Sequence, residues 1–307
     1  MVMTSRYALL AFFAILMWNG CDSALPTDEP RVVIEGFLNT GRELPPVRVS
    51  RTLSPQDAYD DGAAAVDDAE IEVTLGSTSV RYLPASGVPG RYEPEESVSI
   101  VAQTSFSIEV RWTDGVARAS GVTPPVIEME RVAVQVPDEP VSAVLLDSLA
   151  LGDSLAVGAR RGFIYPIEVT IAWMPEPESE GLWIRAQLRP YTRFTSTVVD
   201  LFLSSDEISS ENDFDLGQDG LRTWTGVYAV GVERADDPLP PHLLRVALVR
   251  SGSDYARFAS TRQAPVRREP ISNVTGAIGI FTAISVDSTR LSVAHGMDVQ
   301  VSRGKGL

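Results

Sequence analysis

Residues 69–76 read AEIEVTLG, and the phase of that octet decides the fold class. Ile71, Val73 and Leu75 alternate with Glu72 and Thr74. A two-residue period sends one set of side chains into a core and the other into water, which suits a half-buried antiparallel strand and not a helix. Working outward, the period recurs upstream in RVVIEGFLN (31–39) and PVRVSRTL (46–53). It recurs downstream in TSVRYLP (78–84), SFSIEVRWTDG (105–115) and VARASGVTP (116–124), each run ended by Gly, Pro or Asp. Asp114-Gly115 predicts a hairpin turn whose two central residues both take positive φ. About six or seven strands at roughly ten-residue spacing predict an immunoglobulin-like β-sandwich over residues 31–124. DAYDDGAAAVDD (57–68) interrupts the alternation; its acids are not spaced as metal ligands, so it reads as a solvated loop.

Thr123-Pro124-Pro125 closes this first domain, because consecutive prolines cannot sit inside a central strand. IEMERVAVQV (127–136) leads into a Ser-, Asp- and Gly-containing connection around 147–162. Further strand-like runs follow: PIEVTIAWMP (166–175), GLWIRAQLRPY (181–191), STVVDLFLSS (196–205), LRTWTGVYAV (221–230), HLLRVALVRS (242–251) and GIFTAISVDSTRLSVA (279–294). One helix is expected, over Ser253–Thr261, with Tyr255, Phe258 and Ala259 on one face and Ser253 as its N-cap. Residues 125–307 are therefore expected to form a second β domain, a sandwich or partly closed barrel with one short helix.

The N-terminus reads as an export signal. Arg6 precedes an apolar run, Tyr7–Trp18, of h-region length, followed by Asn19-Gly20-Cys21. Cys21 is the chain's single cysteine, and an unpaired thiol in an exported protein needs a use. Lipid attachment after cleavage of residues 1–20 supplies one; an ordinary secretory signal with a chance cysteine is the alternative. Residues 21–30 then form a lipidated cysteine and polar tether whose acids, Asp22, Asp28 and Glu29, serve in sorting or simply as a solvated linker. Taking Arg6 from the 26 Lys and Arg leaves 25 against 41 Asp and Glu, a formal charge of −16. Such a balance argues against nucleic acid as partner, since phosphate binding needs a basic face. It also makes acyl chains, rather than charge, the attachment to a membrane.

VDDAEIEVTLGSTSVRYLPASGVPGRYEP (66–94) resembles the carboxypeptidase-regulatory-like modules of the immunoglobulin-like class at Ala69, Ile71, Val73, Gly90 and Tyr92. More extensively, REPISNVTGAIGIFTA (268–283) resembles the C-terminal signature of the bacterial envelope lipoproteins known as domain of unknown function 4249. Glu269, Pro270, Asn273, Gly276, Gly279 and Phe281 occupy its positions, and Ala277 stands where a second glycine is common. VVIEGFLN, VRVSRT (47–52), SDEI (205–208) and SDYARF (253–258) follow in the same order. The resemblance implies a lipid anchor, an N-terminal immunoglobulin-like domain and a role in the cell envelope, often beside TonB-dependent outer-membrane receptors. It implies no reaction. Read physically, Gly276 and Gly279 flank a buried strand where positive φ or close backbone approach is needed, and no lysine stands by to meet a phosphate.

Catalytic residue types are scarce. His242 and His295 are the only histidines; neither neighbours a G-x-S-x-G motif, and both read as surface or strand-edge residues. In SSDEISSENDFDLGQDG (204–220), Asp213, Asp215 and Asp219 ending at Gly220 suggest a calcium loop, although a required oxygen position falls on Gly217, so an ordinary acidic loop fits too. No cofactor other than calcium is expected. Trp112, Trp173, Trp183 and Trp224 lie in strand-like runs, as core or as exposed stacking platforms. The reading is a non-catalytic envelope lipoprotein, anchored to the outer membrane and working with a receptor there. A carboxylate-pair hydrolase in the second domain is the alternative, and a structural or adhesive surface protein is a third.

Overall fold

The computed structural model describes residues 30–54, 57–147, 158–176, 181–191, 198–200, 209–262 and 271–302. The chain is mainly β, as the alternation predicts. Its first part contains β1 (Val32–Asn39), β2 (Val47–Arg51), a one-turn helix α1 (Asp61–Ala64), β3 (Glu70–Leu75), β4 (Thr78–Pro84), β5 (Arg91–Pro94), β6 (Ser105–Trp112) and β7 (Gly115–Val122). After the Thr123–Glu128 crossing come β8 (Met129–Gln135), β9 (Val141–Asp147), β10 (Gly158–Trp173), β11 (Gly181–Pro190), β12 (Val198–Asp200), a 3₁₀ turn (Glu211–Asp213) and β13 (Asp215–Leu216). The last elements are β14 (Arg222–Val232), β15 (His242–Ser251), α2 (Ser253–Arg262), β16 (Ile278–Val293) and β17 (Asp298–Ser302).

Two sheets result. The larger has ten strands in the order β11-β15-β16-β1-β2-β5-β4-β3-β6-β7; the smaller runs β12-β14-β10-β8-β17, with β13 beside β14 and β9 beside β10. The long strand β16 is the spine. Its first half pairs in parallel with β1, from Val33 opposite Ile278 to Asn39 opposite Ile284. Its second half pairs antiparallel with β15, from Ser251 opposite Ile284 to His242 opposite Val293.

Two hydrophobic clusters follow from this arrangement. One gathers inward residues of β1–β7, such as Ile34, Val47, Ile71, Val73, Tyr92, Ile108 and Val110, and borrows Val274, Phe281 and Ala283 from the C-terminal stretch. The strands curl about it until Arg118 of β7 exchanges backbone hydrogen bonds with Thr275 (2.9 and 2.8 Å), yet no closed barrel forms among the described residues. The other cluster is a sandwich filling: Val132, Ile167, Ile171, Trp173 and Tyr228 of the smaller sheet face Leu182, Ile184, Leu244, Val246 and Leu248 of the larger. Leu182, Ile184, Leu188 and Leu244, Val246, Leu248 keep the inward phase along β11 and β15, whereas β8 changes phase between Met129 and Val132, opposite a register shift between Ala172 and Trp173 of β10.

Three local expectations are corrected. The hairpin between β6 and β7 pairs Trp112 with Gly115, so its central residues are Thr113 and Asp114, and neither takes positive φ. Asp68 explains the difference, because its carboxylate accepts from both the N–H and the hydroxyl of Thr113 and holds the turn from outside. Those bonds favour the ionised form and keep the Asp68 carboxyl below its ordinary range. The connection expected around 147–162 is instead partly strand: β9 pairs with the start of β10, Val141 opposite Ile164 through Asp147 opposite Gly158. The segment 57–68, expected as a loop without order, contains α1, capped by the Asp60 carboxylate accepting from Ala63 N at 2.7 Å.

Candidate functional site

The acidic segment 204–220 is described from Ser209 onward, and there its acids are used locally. Asp213 accepts from Ser210 N (2.9 Å) in a reciprocal cap of the 3₁₀ turn. Asp219 accepts from Leu221 N (3.2 Å) and faces Arg131 (3.4 Å), while Asp215 lies exposed on β13 opposite Thr223. Arg222 fastens the loop by donating to Phe214 O (2.5 Å) and Asn212 Oδ1 (3.0 Å). The three aspartates are not drawn into one ligand group, and no cluster of three or more metal-ligating acids, His or Cys occurs among the described residues.

The residue of that segment that matters to the structure is Glu211, which the sequence does not single out. It is 4% exposed and lies against Arg250, 2% exposed. Arg250 Nε and Nη2 both donate to Glu211 Oε1, at 2.8 and 2.6 Å, and Glu176 N donates to Oε2 at 2.8 Å. The guanidinium also donates to Val126 O (3.0 Å) and Met174 O (3.4 Å). One buried ion pair thus ties β15, the end of β10, the 3₁₀ turn and the crossing segment. Arg250 falls on the inward phase of Leu244, Val246 and Leu248, which forces its charge into the interior and makes a buried partner obligatory.

The crossing segment is pinned on its other side by β16. Ile127 N donates to Ser285 Oγ (2.9 Å), Met129 N to Asp287 Oδ2 (2.8 Å), and Thr40 Oγ1 to Pro124 O (3.1 Å). Ser285 and Asp287 occupy the inward phase of β16 between Ala283 of one cluster and Leu291 and Val293 of the other. Polar residues belong there because the backbone of the crossing segment, rather than another apolar layer, is what they meet.

The signature at 268–283 is structural in detail. Asn273 acts as a strand partner for Phe281: its Oδ1 accepts from Phe281 N (3.0 Å) and its Nδ2 donates to Phe281 O (2.9 Å) and to Asp254 Oδ2 of α2 (3.0 Å). Gly276 has φ +85°, and an added Cβ would lie 2.2 Å from Val116 O; Gly279 has φ +119°, and its Cβ would lie 2.1 Å from Ile34 O. Both are positions where only glycine fits. Asn273→Ala is expected to lower the unfolding free energy by about 1–3 kcal/mol, because it orphans both backbone groups of a buried strand residue. Urea denaturation followed by tryptophan fluorescence measures it, and a midpoint equal to wild type would remove the clamp from the account.

His242 differs from its expected place at the surface or a strand edge, since β15 is an interior strand of the larger sheet. It opens β15 but is fully buried, since it shares the inward phase with Leu244; its Nδ1 lies 2.5 Å from Pro240 O, and burial pulls its pKa below the ordinary value. His295 is exposed in the turn before β17, edge-on to the Tyr165 ring. Trp173 is fully buried, and Trp112, Trp183 and Trp224 are half-buried. A depression of about 300 Å³ lies on β3, β4 and β6, lined by Glu70, Glu72, Arg81, Glu109 and Arg111 among others. Glu72 and Glu109 are cross-strand neighbours there. Arg118, and then Arg111, hold the Glu109 carboxyl below its ordinary range, opposite to what a general acid needs. The depression lies on the first part of the chain, away from the region where a hydrolase was expected. Cys21 falls outside the described residues.

Residues 21–290 match the family described as Domain of unknown function (DUF4249). No curated protein and no solved structure matches the chain.

Proposed function

The chain belongs to the DUF4249 family, and on that premise we propose that it is a non-catalytic lipoprotein of the cell envelope, held to the outer membrane through Cys21 and working as a binding or accessory partner of a TonB-dependent receptor. The observation that carries the reading is the N-terminal pattern: a basic residue, an apolar run too short to span a bilayer permanently, and then the chain's single cysteine. The family match begins at that cysteine, which leaves the preceding twenty residues outside the shared part. The antiparallel run β1–β7 curls about its own hydrophobic cluster within the larger sheet. A body whose two clusters share β16 and whose crossing segment is bonded on both sides suits presentation of fixed surfaces to a partner rather than closure over a substrate.

Cys21→Ser is expected to abolish incorporation of labelled palmitate and to move the protein from the membrane pellet to the soluble fraction. Continued sedimentation with membranes, or a processed chain that begins elsewhere than Cys21, would overturn the anchor. Affinity purification of the native protein from detergent-solubilised outer membranes tests the receptor role separately.

A further inference from the structure

The outer face of β11, β15 and β16 carries a group of arginines with no ion-pair partner among the described residues, in a strongly acidic chain. Leu182, Ile184 and Leu188 of β11, Leu244, Val246 and Leu248 of β15, and Leu291 and Val293 of β16 turn into the sandwich core. Alternation therefore turns Trp183, Arg185, Gln187 and Arg189, then Leu243, Arg245 and Ala247, then Ser288, Arg290 and Ser292, to the other face. The ladders align these in three rows: Arg185–Ala247–Ser288, Gln187–Arg245–Arg290 and Arg189–Leu243–Ser292. Arg245 thus lies directly opposite Arg290 and diagonal to Arg185 and Arg189. All four are exposed.

These rows contain no Asp or Glu, although acids outnumber bases 41 to 26 in the chain. None of the four arginines belongs to an ion pair of the described residues, and Arg185 alone has a ring beneath it, that of Trp183, at 5.8 Å. Like charges placed directly across a ladder destabilise a sheet. A pair that the described residues leave uncompensated is complementary to carboxylates brought from elsewhere.

Helix α2 decides what shape of anion fits. It packs on β15 and β16, and its Tyr255 meets Phe37, which points out of β1, with ring centroids 6.0 Å apart. The helix stands on the same outer face as the arginines and rises by roughly its own 10 Å diameter. It forms a wall at one end of the arginine floor and keeps a flat bilayer surface off it. An extended peptide can lie along the floor, because its same-side residues repeat with the i, i+2 spacing of Arg185, Gln187 and Arg189. Guanidinium forks match carboxylates, and Trp183, Leu243 and the exposed Tyr191 add the aromatic and apolar contacts that anchor protein interfaces.

We propose that this face is the docking surface for an acidic, extended segment of a partner protein. It rests on the reading of the chain as a binding protein but not on the lipid anchor. The test is fluorescence anisotropy of a fluorescein-labelled Glu-Ser repeat peptide titrated with the full mature chain in detergent, at low and at physiological salt. Binding that weakens with salt is expected, with a loss of about tenfold or more in Arg245→Glu/Arg290→Glu. Arg91→Glu, on distant β5, is expected to bind as wild type. The single variant Arg245→Glu is expected to lose affinity while its Tm stays equal or rises, since it gains Arg290 as partner; that separates docking from misfolding. Absence of peptide binding at low salt, or equal affinity of the double variant, overturns the proposal. So does tighter binding of phosphatidylglycerol vesicles than of peptide through the same arginines. Failure of the anchor reading would appear in fractionation of Cys21→Ser and leave these titrations unchanged.

Discussion

Replacing Arg250 by Met is expected to remove about 3–5 kcal/mol from the unfolding free energy, the range for breaking a buried ion pair from one side. The arginine is 2% exposed and its four donations reach three separate segments. Without it the Glu211 carboxylate keeps, among the described residues, a single N–H, from Glu176, and the carbonyls of Val126 and Met174 lose a donor. Denaturant midpoints with unchanged m-values read the loss directly. Arg250→Met/Glu211→Leu is expected to recover a substantial part of it, since removing both charges also removes the cost of burying them. A single variant as stable as wild type would show that the pair is not the strut described above.

Gly279→Ala is expected to be comparably damaging, on the order of 3 kcal/mol or more, because a strained φ and a backbone collision act together. The Cβ would sit 2.1 Å from Ile34 O and 2.8 Å from Ile34 N. Those atoms belong to the neighbouring strand of a parallel ladder and cannot rotate aside as a side chain would. Gly41→Ala is the control: φ is +80° there too, but nothing lies within 4 Å, so about 1–2 kcal/mol is expected from conformation alone. If both variants unfolded at the same denaturant concentration, close approach to Ile34 would not be what the glycine serves.

Strands with strict alternation were legible from sequence, because burial of one face leaves a local record: β1, β3, β6, β15 and β16 lie where the period places them. The longer helix among the described residues was legible from its apolar spacing; it starts at Ser253 itself rather than after it. The β6–β7 turn departs from the local preference of the Asp-Gly pair because a long-range partner, Asp68, overrides it. The start of β10 left no apolar period to read, Gly158, Ala159 and Gly162 being poor strand formers and Arg160 and Arg161 adjacent charges. The pairing of β1 with β16 is likewise silent in any local window.

Buried polar residues were half legible. Arg250, and Ser285 with Asp287, stand out afterwards as charges or hydroxyls at the inward phase of apolar strands, a signal available in sequence. Their partners were not: nothing distinguishes Glu211 from the other acids of 204–220, or the backbone of Ile127 and Met129 from any other. The arginine face required register as well as phase, since Arg185, Arg245 and Arg290 come from three strands far apart in the chain.

Strand β16 also sets the order of events in biosynthesis. Ile34 and Leu38 emerge from the ribosome almost a whole polypeptide ahead of Phe281 and Ala283, with which they share a core. The early half cannot seal itself while translation continues, and its ladder must wait for a strand made nearly last. Such late, non-local closure makes for slow maturation. Until then the waiting edge of β1 is open to wrong neighbours.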